Sequence, residues 1–448
     1  MSFQWTLDEV RAALGTGPGG AAVLRGVSTD TRAIAPGALF VALRGERFDA
    51  HDFLAQAVEQ GAAALVVSDA ARAAGLGVPV HVVADTLVAL GALGRHRRRA
   101  WGGTLVAVAG SNGKTSTKEL LRAALGGARR VHATTGNLNN RVGLPLTLLA
   151  IPDDAELVVA EVGTNVPGEV AILRDVCEPD VAVVTSIGEE HLEGLHDLAG
   201  VLREEASVFD GVALAVTPAA QPEVAEAARP LARRVVVAGL DAGDVRPDAW
   251  RLEPDGTGRL AFGSVEVRVP LRGAHNLRNA MLALAVAREL GVSLDTAAAG
   301  IAAMPQPSMR TAWEPLGRAV VLNDAYNANP PSMRAAFELV AAVADHRPRV
   351  AVLGTMLELG DATARLHRDV ARAALAGPFD VLAGVGLFAV ALRAEAPGDP
   401  RVVTAADAEA LWPLLEPRLA PDAFILLKGS RGMRLERLVP LLTTWAAR

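Results

Sequence analysis

Thr104 to Ala109 form an unbroken apolar run, and Gly110-Ser111-Asn112-Gly113-Lys114-Thr115-Ser116 follows it at once. This junction restricts the possible fold more tightly than any other stretch of the 448 residues. A short continuous apolar run suits a strand buried on both faces, as in a parallel sheet. The two glycines let backbone N–H groups turn toward a phosphate, and a helix expected over Thr117 to Leu125 adds its N-terminal dipole. Lys114 is placed to reach the β- and γ-phosphates of a nucleotide, and the Thr115 hydroxyl to ligate Mg2+. Longer loops of this kind carry a further glycine where this chain has Val108, so the match is to the short form G-x-x-G-K-T. By itself the loop says nucleoside triphosphate and no more.

The surrounding pattern extends that start. Strands expected at Leu157 to Glu161 and Val181 to Thr185, with a helix over Leu198 to Phe209, alternate as a parallel sheet with right-handed crossovers requires. Upstream, apolar runs at Ala38 to Leu43 and Ala62 to Val67 flank a helical spacing of Phe53, Leu54 and Val58. Beyond about residue 235 come short strands, Arg259 to Phe262 and Val265 to Val269, and then an Ala/Leu-rich helix over Asn276 to Leu290. Pro305, Gln306 and Pro307 read as a boundary. Past them Ala319 to Leu322, Val350 to Leu353, Val381 to Val385 and Ala423 to Leu427 are strands with helices between. At roughly 150 residues per domain the length agrees with three units. The expected fold class is therefore α/β in three domains. These are a small N-terminal α/β domain over 1–85, a central parallel-sheet phosphate-loop ATPase domain over 86–307, and a C-terminal Rossmann-like α/β domain over 308–448.

Composition excludes several partners. A net charge of −6 gives no general affinity for nucleic acid or an anionic membrane surface. The run Arg95-His96-Arg97-Arg98-Arg99 is expected to be a solvated helix face. Cys177 is alone, which fits a reducing compartment. No basic, apolar leader is visible at the start, and the most apolar stretch, Val381 to Leu392, falls short of the roughly 20 residues a membrane helix needs. A soluble, cytoplasmic protein is expected. Among 44 basic residues only Lys114, Lys118 and Lys428 are lysines, so each ammonium group is worth following. Lys118, one turn into the helix, suits either a solvated role or a phosphate contact.

Glu161 ends the second central strand and His191 follows the third. In an open parallel sheet the carboxyl ends of the strands face the crevice that also holds the phosphate loop. A carboxylate and an imidazole there are plausible Mg2+ ligands, although this hard cation prefers oxygen.

Taken together, the motifs resemble the Mur ligase family, ATP-dependent amide-forming enzymes of peptidoglycan precursor synthesis. The resemblance rests on Gly110 to Thr115, Thr134-Thr-Gly-Asn137-Leu-Asn139-Asn140, Glu161-Val-Gly163, Ile187-Gly-x-x-His191 and Gly273-Ala-His275-Asn276-x-x-Asn279. Three more stretches are similar to the branch that adds D-alanyl-D-alanine. They are Ser28-Thr-Asp30-Thr-Arg32 through Gly45 to Phe53, Asp324-Ala-Tyr326-Asn327-Ala-Asn329-Pro330, and Leu353 to Gly360 followed by His367. The matching segments run from about residue 20 to 440.

The resemblance implies ATP and Mg2+ as cofactors, with UDP-N-acetylmuramoyl-tripeptide and D-alanyl-D-alanine as substrates, acting on a monomer. It also implies roles. Thr115, Glu161 and His191 would ligate Mg2+, Lys114 would contact the phosphates, and Gly110 to Ser116 would wrap them. Asn276 and Asn279 would approach the adenine, Asp324 the ribose, and Arg310 the phosphates from the C-terminal side. Ser28, Asp30 and Arg32 would lie at the uridine end, with Asn137, Asn139 and Asn140 along the muramoyl-peptide channel. Tyr326, Asn327 and Asn329 would border the D-alanyl-D-alanine region, and Lys428 would meet the reacting phosphate.

Two positions depart from the family pattern. The family's lysine after the His191 motif, whose carbamate holds a second Mg2+, falls on Glu205, and no lysine lies between Lys118 and Lys428. Glu205 is expected to supply that anionic oxygen, directly or through a metal-bound water; the alternative is that Glu204 and Glu205 form a solvated helix face. Met309 stands where glycine commonly precedes the arginine, and it should favour φ below zero. The competing functions are a sister ligase adding another amino acid, a phosphate-loop ATPase without ligase activity, and a nucleotide-binding scaffold that has lost catalysis.

Overall fold

A computed structural model describes residues 5–45, 48–305 and 309–448. Gln306 and Pro307 of the expected boundary, Ser308, and Glu46 and Arg47 of the Gly45 to Phe53 stretch lie outside the described residues.

The α/β expectation is met. Apolar runs form three mainly parallel sheets. Near the N-terminus, Val27–Ser28, Leu39–Val41, Ala64–Val67 and Val80–Val82 pair in that order, all parallel. The central sheet has six parallel strands in the order Val131–Ala133, Leu157–Glu161, Thr104–Ala109, Val181–Val184, Leu214–Pro218, Val235–Ala238. The chain crosses outward to one side of Thr104–Ala109 first and to the other side later. The switch point therefore lies between Thr104–Ala109 and Val181–Val184, the place where such sheets bind ligands. An antiparallel sheet of Ala249–Leu252, Thr257–Phe262 and Val265–Arg272 follows. The C-terminal sheet runs Ala312–Leu316, Ala319–Asp324, Phe424–Lys428, Arg349–Leu353, Val381–Val385, Val402–Ala405. Only its first strand, which carries Pro315 at the sheet edge, is antiparallel.

Thr104–Ala109 is buried from its second residue onward, so its side chains meet helices on both faces. On one face Leu120, Leu121 and Leu125 of helix Lys114–Gly126 pack with Leu277, Ala280 and Met281 of helix Ala274–Glu289. The phosphate-loop helix starts at Lys114, a turn earlier than expected, because Gly113 itself takes the cap position.

The basic run is not a solvated face. It ends helix Thr86–Trp101, and two of its members are buried. Arg97 donates to the Ile151 carbonyl at 2.6 Å, and Arg98 to the Cys177 carbonyl at 2.9 Å and the Asp180 carboxylate at 2.8 Å. These arginines fasten the helix to the central sheet. A second junction is apolar: Leu192, Leu195 and Val201, which follow the third central strand, share one buried cluster with Met356, Leu359 and Leu366 of the C-terminal unit.

Candidate active site

The loops after Thr104–Ala109, Leu157–Glu161 and Val181–Val184 open into one cavity of about 750 Å3, walled opposite by residues of the C-terminal unit. Ser111 to Ser116, Asn137, Asn139, Asn140, Glu161, His191, Asn276 and Asn279 line it from the central unit. Arg310, Asp324, Tyr326, Asn327 and Lys428 line it from the C-terminal one. Chemistry-bearing residues more than 300 positions apart thus share a single cavity, since Ser111 and Lys428 both line it.

The loop geometry requires its glycines. Gly110 has φ 115°, and a Cβ there would lie 2.5 Å from the Thr185 hydroxyl. Gly113 has φ 88°, and its Cβ would meet the Asn279 amide at 2.6 Å. The Gly110 N–H, expected to face a phosphate, instead donates to Glu205 Oε2 at 2.7 Å, which corrects its assignment as a phosphate-binding amide. Lys114 curls back over the loop, donating to the Gly110 carbonyl at 2.5 Å with Glu190 at 3.5 Å. Burial pulls its ammonium pKa down, but Glu190, Glu205 and Glu161 outweigh that and hold it above the ordinary lysine value.

Glu161 is buried at the end of its strand, where Thr115 Oγ1 donates to it at 3.0 Å and Asn139 Nδ2 at 2.9 Å. Lys118 stands behind it, 1% exposed, donating to the Thr134 carbonyl at 2.8 Å with Nζ 3.8 Å from Glu161. Lys118 is therefore not solvated and does not line the cavity; its ammonium is enclosed between Glu119, at 3.2 Å, and Glu161. His191 takes a left-handed backbone at φ 51°, and its Nδ1 lies 2.6 Å from Glu358 Oε2, a carboxylate of the C-terminal unit. Burial lowers the His191 pKa, yet the contact with Glu358 and the charge of Glu190 leave it raised overall.

Glu204 and Glu205 are both buried, so the solvated-face alternative fails. Glu204 accepts the Gly168 and Val170 N–H groups at 2.7 and 2.8 Å, at the start of helix Glu169–Cys177. Glu205 is fully buried behind the phosphate loop and is absent from the cavity wall, so of its two expected forms, direct or through a metal-bound water, this side-chain position does not present the direct one. Burial raises its carboxyl pKa to about 7, with Lys114 opposing.

On the C-terminal wall, Asp324 Oδ2 accepts from Lys428 Nζ at 2.6 Å, while its Oδ1 accepts from the Thr311 N–H at 3.1 Å. Lys428 also donates to the Asn327 carbonyl at 3.1 Å. The Arg310 guanidinium stacks 4.1 Å from the Tyr326 ring centre. Met309 adopts φ 54° despite its side chain, so the backbone here keeps a left-handed turn that glycine would take freely. Asn329 lies off the cavity wall; it caps helix Pro330–Val343, accepting from the Ser332 N–H at 3.0 Å. Ser28, Asp30 and Arg32 lie apart from the cavity as a local cluster, Asp30 pairing with Arg32 at 2.7 Å. His51 and His367 are satisfied structural histidines. The first sits between Asp49 and the Ser68 N–H, and the second accepts the Met356 N–H at 3.0 Å.

Three family models match in chain order: "Mur ligase family, catalytic domain" over residues 23–98, "Mur ligase middle domain" over 108–287, and "Mur ligase, glutamate ligase domain" over 309–431. The chain belongs to the Mur ligase family. Within it, the UDP-N-acetylmuramoyl-tripeptide–D-alanyl-D-alanine ligase of Escherichia coli is 36% identical, covering 94% of each chain. The ligase of the same name from Bacillus subtilis is 33% identical over 93% of each. A crystal structure of MurF from Acinetobacter baumannii superimposes with a TM-score of 0.90 at 30% identity, over 99% of both chains. MurF ligase from Thermotoga maritima, in complex with ADP, gives a TM-score of 0.83 at 26% identity, over 94% of this chain and 98% of that one.

Two groups at this Mur ligase site were passed over in the sequence. Glu190 lines the cavity at 6% exposure, and its only signal was its place as an unspecified residue of the Ile187 to His191 motif. Glu358 sits in the Leu353 to Gly360 motif, which carries no spacing cue toward a histidine far upstream.

The donor set fits Mg2+. Thr115 and Glu161 present oxygens at the cavity, and the buried Glu190 Oε1 accepts no hydrogen bond. Among the described residues no group of three or more His, Cys, Asp or Glu gathers as a self-sufficient metal cage. That agrees with a cation that takes one or two carboxylates and completes its shell with phosphate and water.

Proposed function

We propose that this chain is an ATP-dependent ligase that joins D-alanyl-D-alanine to the terminal carboxylate of a UDP-N-acetylmuramoyl-tripeptide, in the cytoplasmic synthesis of peptidoglycan precursors. The observation that carries this reading is the single cavity shared by the phosphate loop, Glu161 and His191 with Arg310, Asp324, Tyr326 and Lys428. One chain supplies every group on that wall, so a monomer suffices. No described helix is long and apolar enough to cross a membrane. The division at 85/86 and 307/308 would then separate a uridine-nucleotide unit carrying Ser28, Asp30 and Arg32, an ATP unit, and a unit that closes over both.

In the first step the tripeptide carboxylate attacks the γ-phosphorus of ATP, giving an acyl phosphate and ADP. The amine of D-alanyl-D-alanine then attacks the acyl carbon, and phosphate leaves. Two anions must approach each other, and Lys114 and Arg310 enter from opposite walls to neutralise that charge. Asn276 and Asn279, joined at 3.1 Å, form a polar surface beside Gly113 that suits a base edge. When bound, Mg2+ would be held by Thr115 and Glu161 and would supply further charge neutralisation at the phosphates. The apolar seam between Leu192, Leu195 and Met356 holds the central and C-terminal units together next to His191, and closure of the two units would keep water from a hydrolysable acyl phosphate.

The test is product formation. Purified protein with ATP, Mg2+ and the UDP-tripeptide should release phosphate only when D-alanyl-D-alanine is added. Release without either acceptor would favour a plain ATPase, and preference for a single amino acid would favour a sister ligase.

A further inference from the structure

Two carboxylates besides Glu161 act on Lys114, and they face different ways. Glu205 is sealed behind the loop, its Oε2 on the Gly110 N–H. Glu190 is on the cavity wall. It is 6% exposed, and its Oε1, like the Oε1 of Glu205, accepts no hydrogen bond; what separates the two is that Glu190 lines the cavity, with this oxygen 3.5 Å from Lys114 Nζ, and Glu205 does not. A buried carboxylate oxygen without a hydrogen bond is costly and calls for a partner.

Lys114 serves as that partner only while the nucleotide is absent. Triphosphate in the loop draws the ammonium toward itself, and Glu190 would then face a polyanion across a poorly solvated wall. A hard divalent cation shared between the carboxylate and phosphate oxygens removes both penalties. The adjacent residue, His191, has its ring anchored through Nδ1 by Glu358, which leaves Nε2 as a second donor on the same wall. We infer that Glu190, not Glu205, supplies the carboxylate oxygen for a second divalent cation that binds with ATP on the His191 side of the cavity. This rests on the ATP-dependent reading above, but not on the identity of the acceptor. The sequence places a short carboxylate where the family's carbamylated lysine belongs, and the fold answers with a different carboxylate, one residue from the histidine.

The experiment is Mn2+ titration of the full chain saturated with a non-hydrolysable ATP analogue, with free Mn2+ read by electron paramagnetic resonance. The wild type should bind two Mn2+ per protein. Glu190→Gln should retain one and bind the other at least tenfold more weakly, and Glu190→Asp, which keeps the charge, should recover part of that loss. Glu205→Gln should keep both. Wild-type binding by Glu190→Gln would overturn the proposal and leave Glu190 as a counter-ion of Lys114 alone; so would loss of one Mn2+ in Glu205→Gln but not in Glu190→Gln. Because only nucleotide and Mn2+ are needed, failure of the D-alanyl-D-alanine assay and failure here are separate results.

Discussion

Replacing Glu205 with Gln should stabilise the protein, and only toward alkaline pH. The side chain is fully buried, and burial raises its carboxyl pKa from 4.5 to about 7 against the pull of Lys114. A carboxyl whose folded pKa lies above its unfolded one binds more protons in the folded state between those two values. Its favourable contribution is thus complete below about pH 4.5 and is lost as pH rises through about 7. A shift of this size, at about 1.4 kcal/mol per pH unit, puts the cost of the ionised form at about 3 kcal/mol. Glutamine has the shape of the protonated acid, and its carbonyl oxygen can still accept the Gly110 N–H that Glu205 accepts at 2.7 Å. Wild type and variant should therefore melt together near pH 5. By pH 8.5 the variant should lead by up to about 3 kcal/mol, or roughly 5–10 °C if the central unit melts cooperatively. Circular dichroism melts of nucleotide-free protein at half-unit pH steps would measure this. A gap that stays constant with pH, or a variant that loses ground as pH rises, would refute the reasoning. The first result would mean that Glu205 ionises in the fold without net cost, the second that ionised Glu205 is a net stabilising partner of Lys114.

Glu358→Ala should free the His191 ring and lower kcat or the apparent Mg2+ affinity by about 10- to 100-fold. In a His191→Ala background the same change should have little further effect, a coupling that a steady-state double-mutant cycle checks. Lys118→Met keeps the apolar stem but leaves Glu161 without its buried ammonium, and should cost about 3–5 kcal/mol in a denaturant melt. Tyr326→Ala removes the ring under Arg310 and should raise the KM for ATP by about 3- to 10-fold, whereas Tyr326→Phe should keep the wild-type value.

The two large parallel sheets were legible because their strands are nearly pure apolar runs: Leu157–Glu161 of the central sheet and Val381–Val385 of the C-terminal one emerge with the bounds read from sequence. The edge strand Ala312–Leu316 was not, since Trp313, Glu314 and Pro315 offer neither alternation nor an apolar run, and only pairing with Ala319–Asp324 defines it. In the site, Lys114, Thr115 and Glu161 were readable from their place at strand ends. Glu190, Glu358 and Lys118 were not, because their roles come from distance across the fold rather than along the chain. The arginine run misled for the same reason: its carbonyl acceptors, Ile151 and Cys177, lie far downstream. At Glu205 a side chain's direction is invisible in one dimension, and here it points behind the loop. Met309 shows the converse, a turn kept by its surroundings against the preference of its own residue.

All three lysines are enclosed at or beside the cavity, with side-chain exposures of 14% for Lys114, 1% for Lys118 and 2% for Lys428. The outer surface carries its positive charge on arginine and so offers acylating reagents no ε-amine. Apart from the chain's α-amine, an amine-directed ester or aldehyde would find amines only at or beside the catalytic cleft, so any lysine adduct would report entry there. Ordinary bulk labelling chemistry thereby becomes site-directed on this chain, and nucleotide protection against it would report how far the cleft opens.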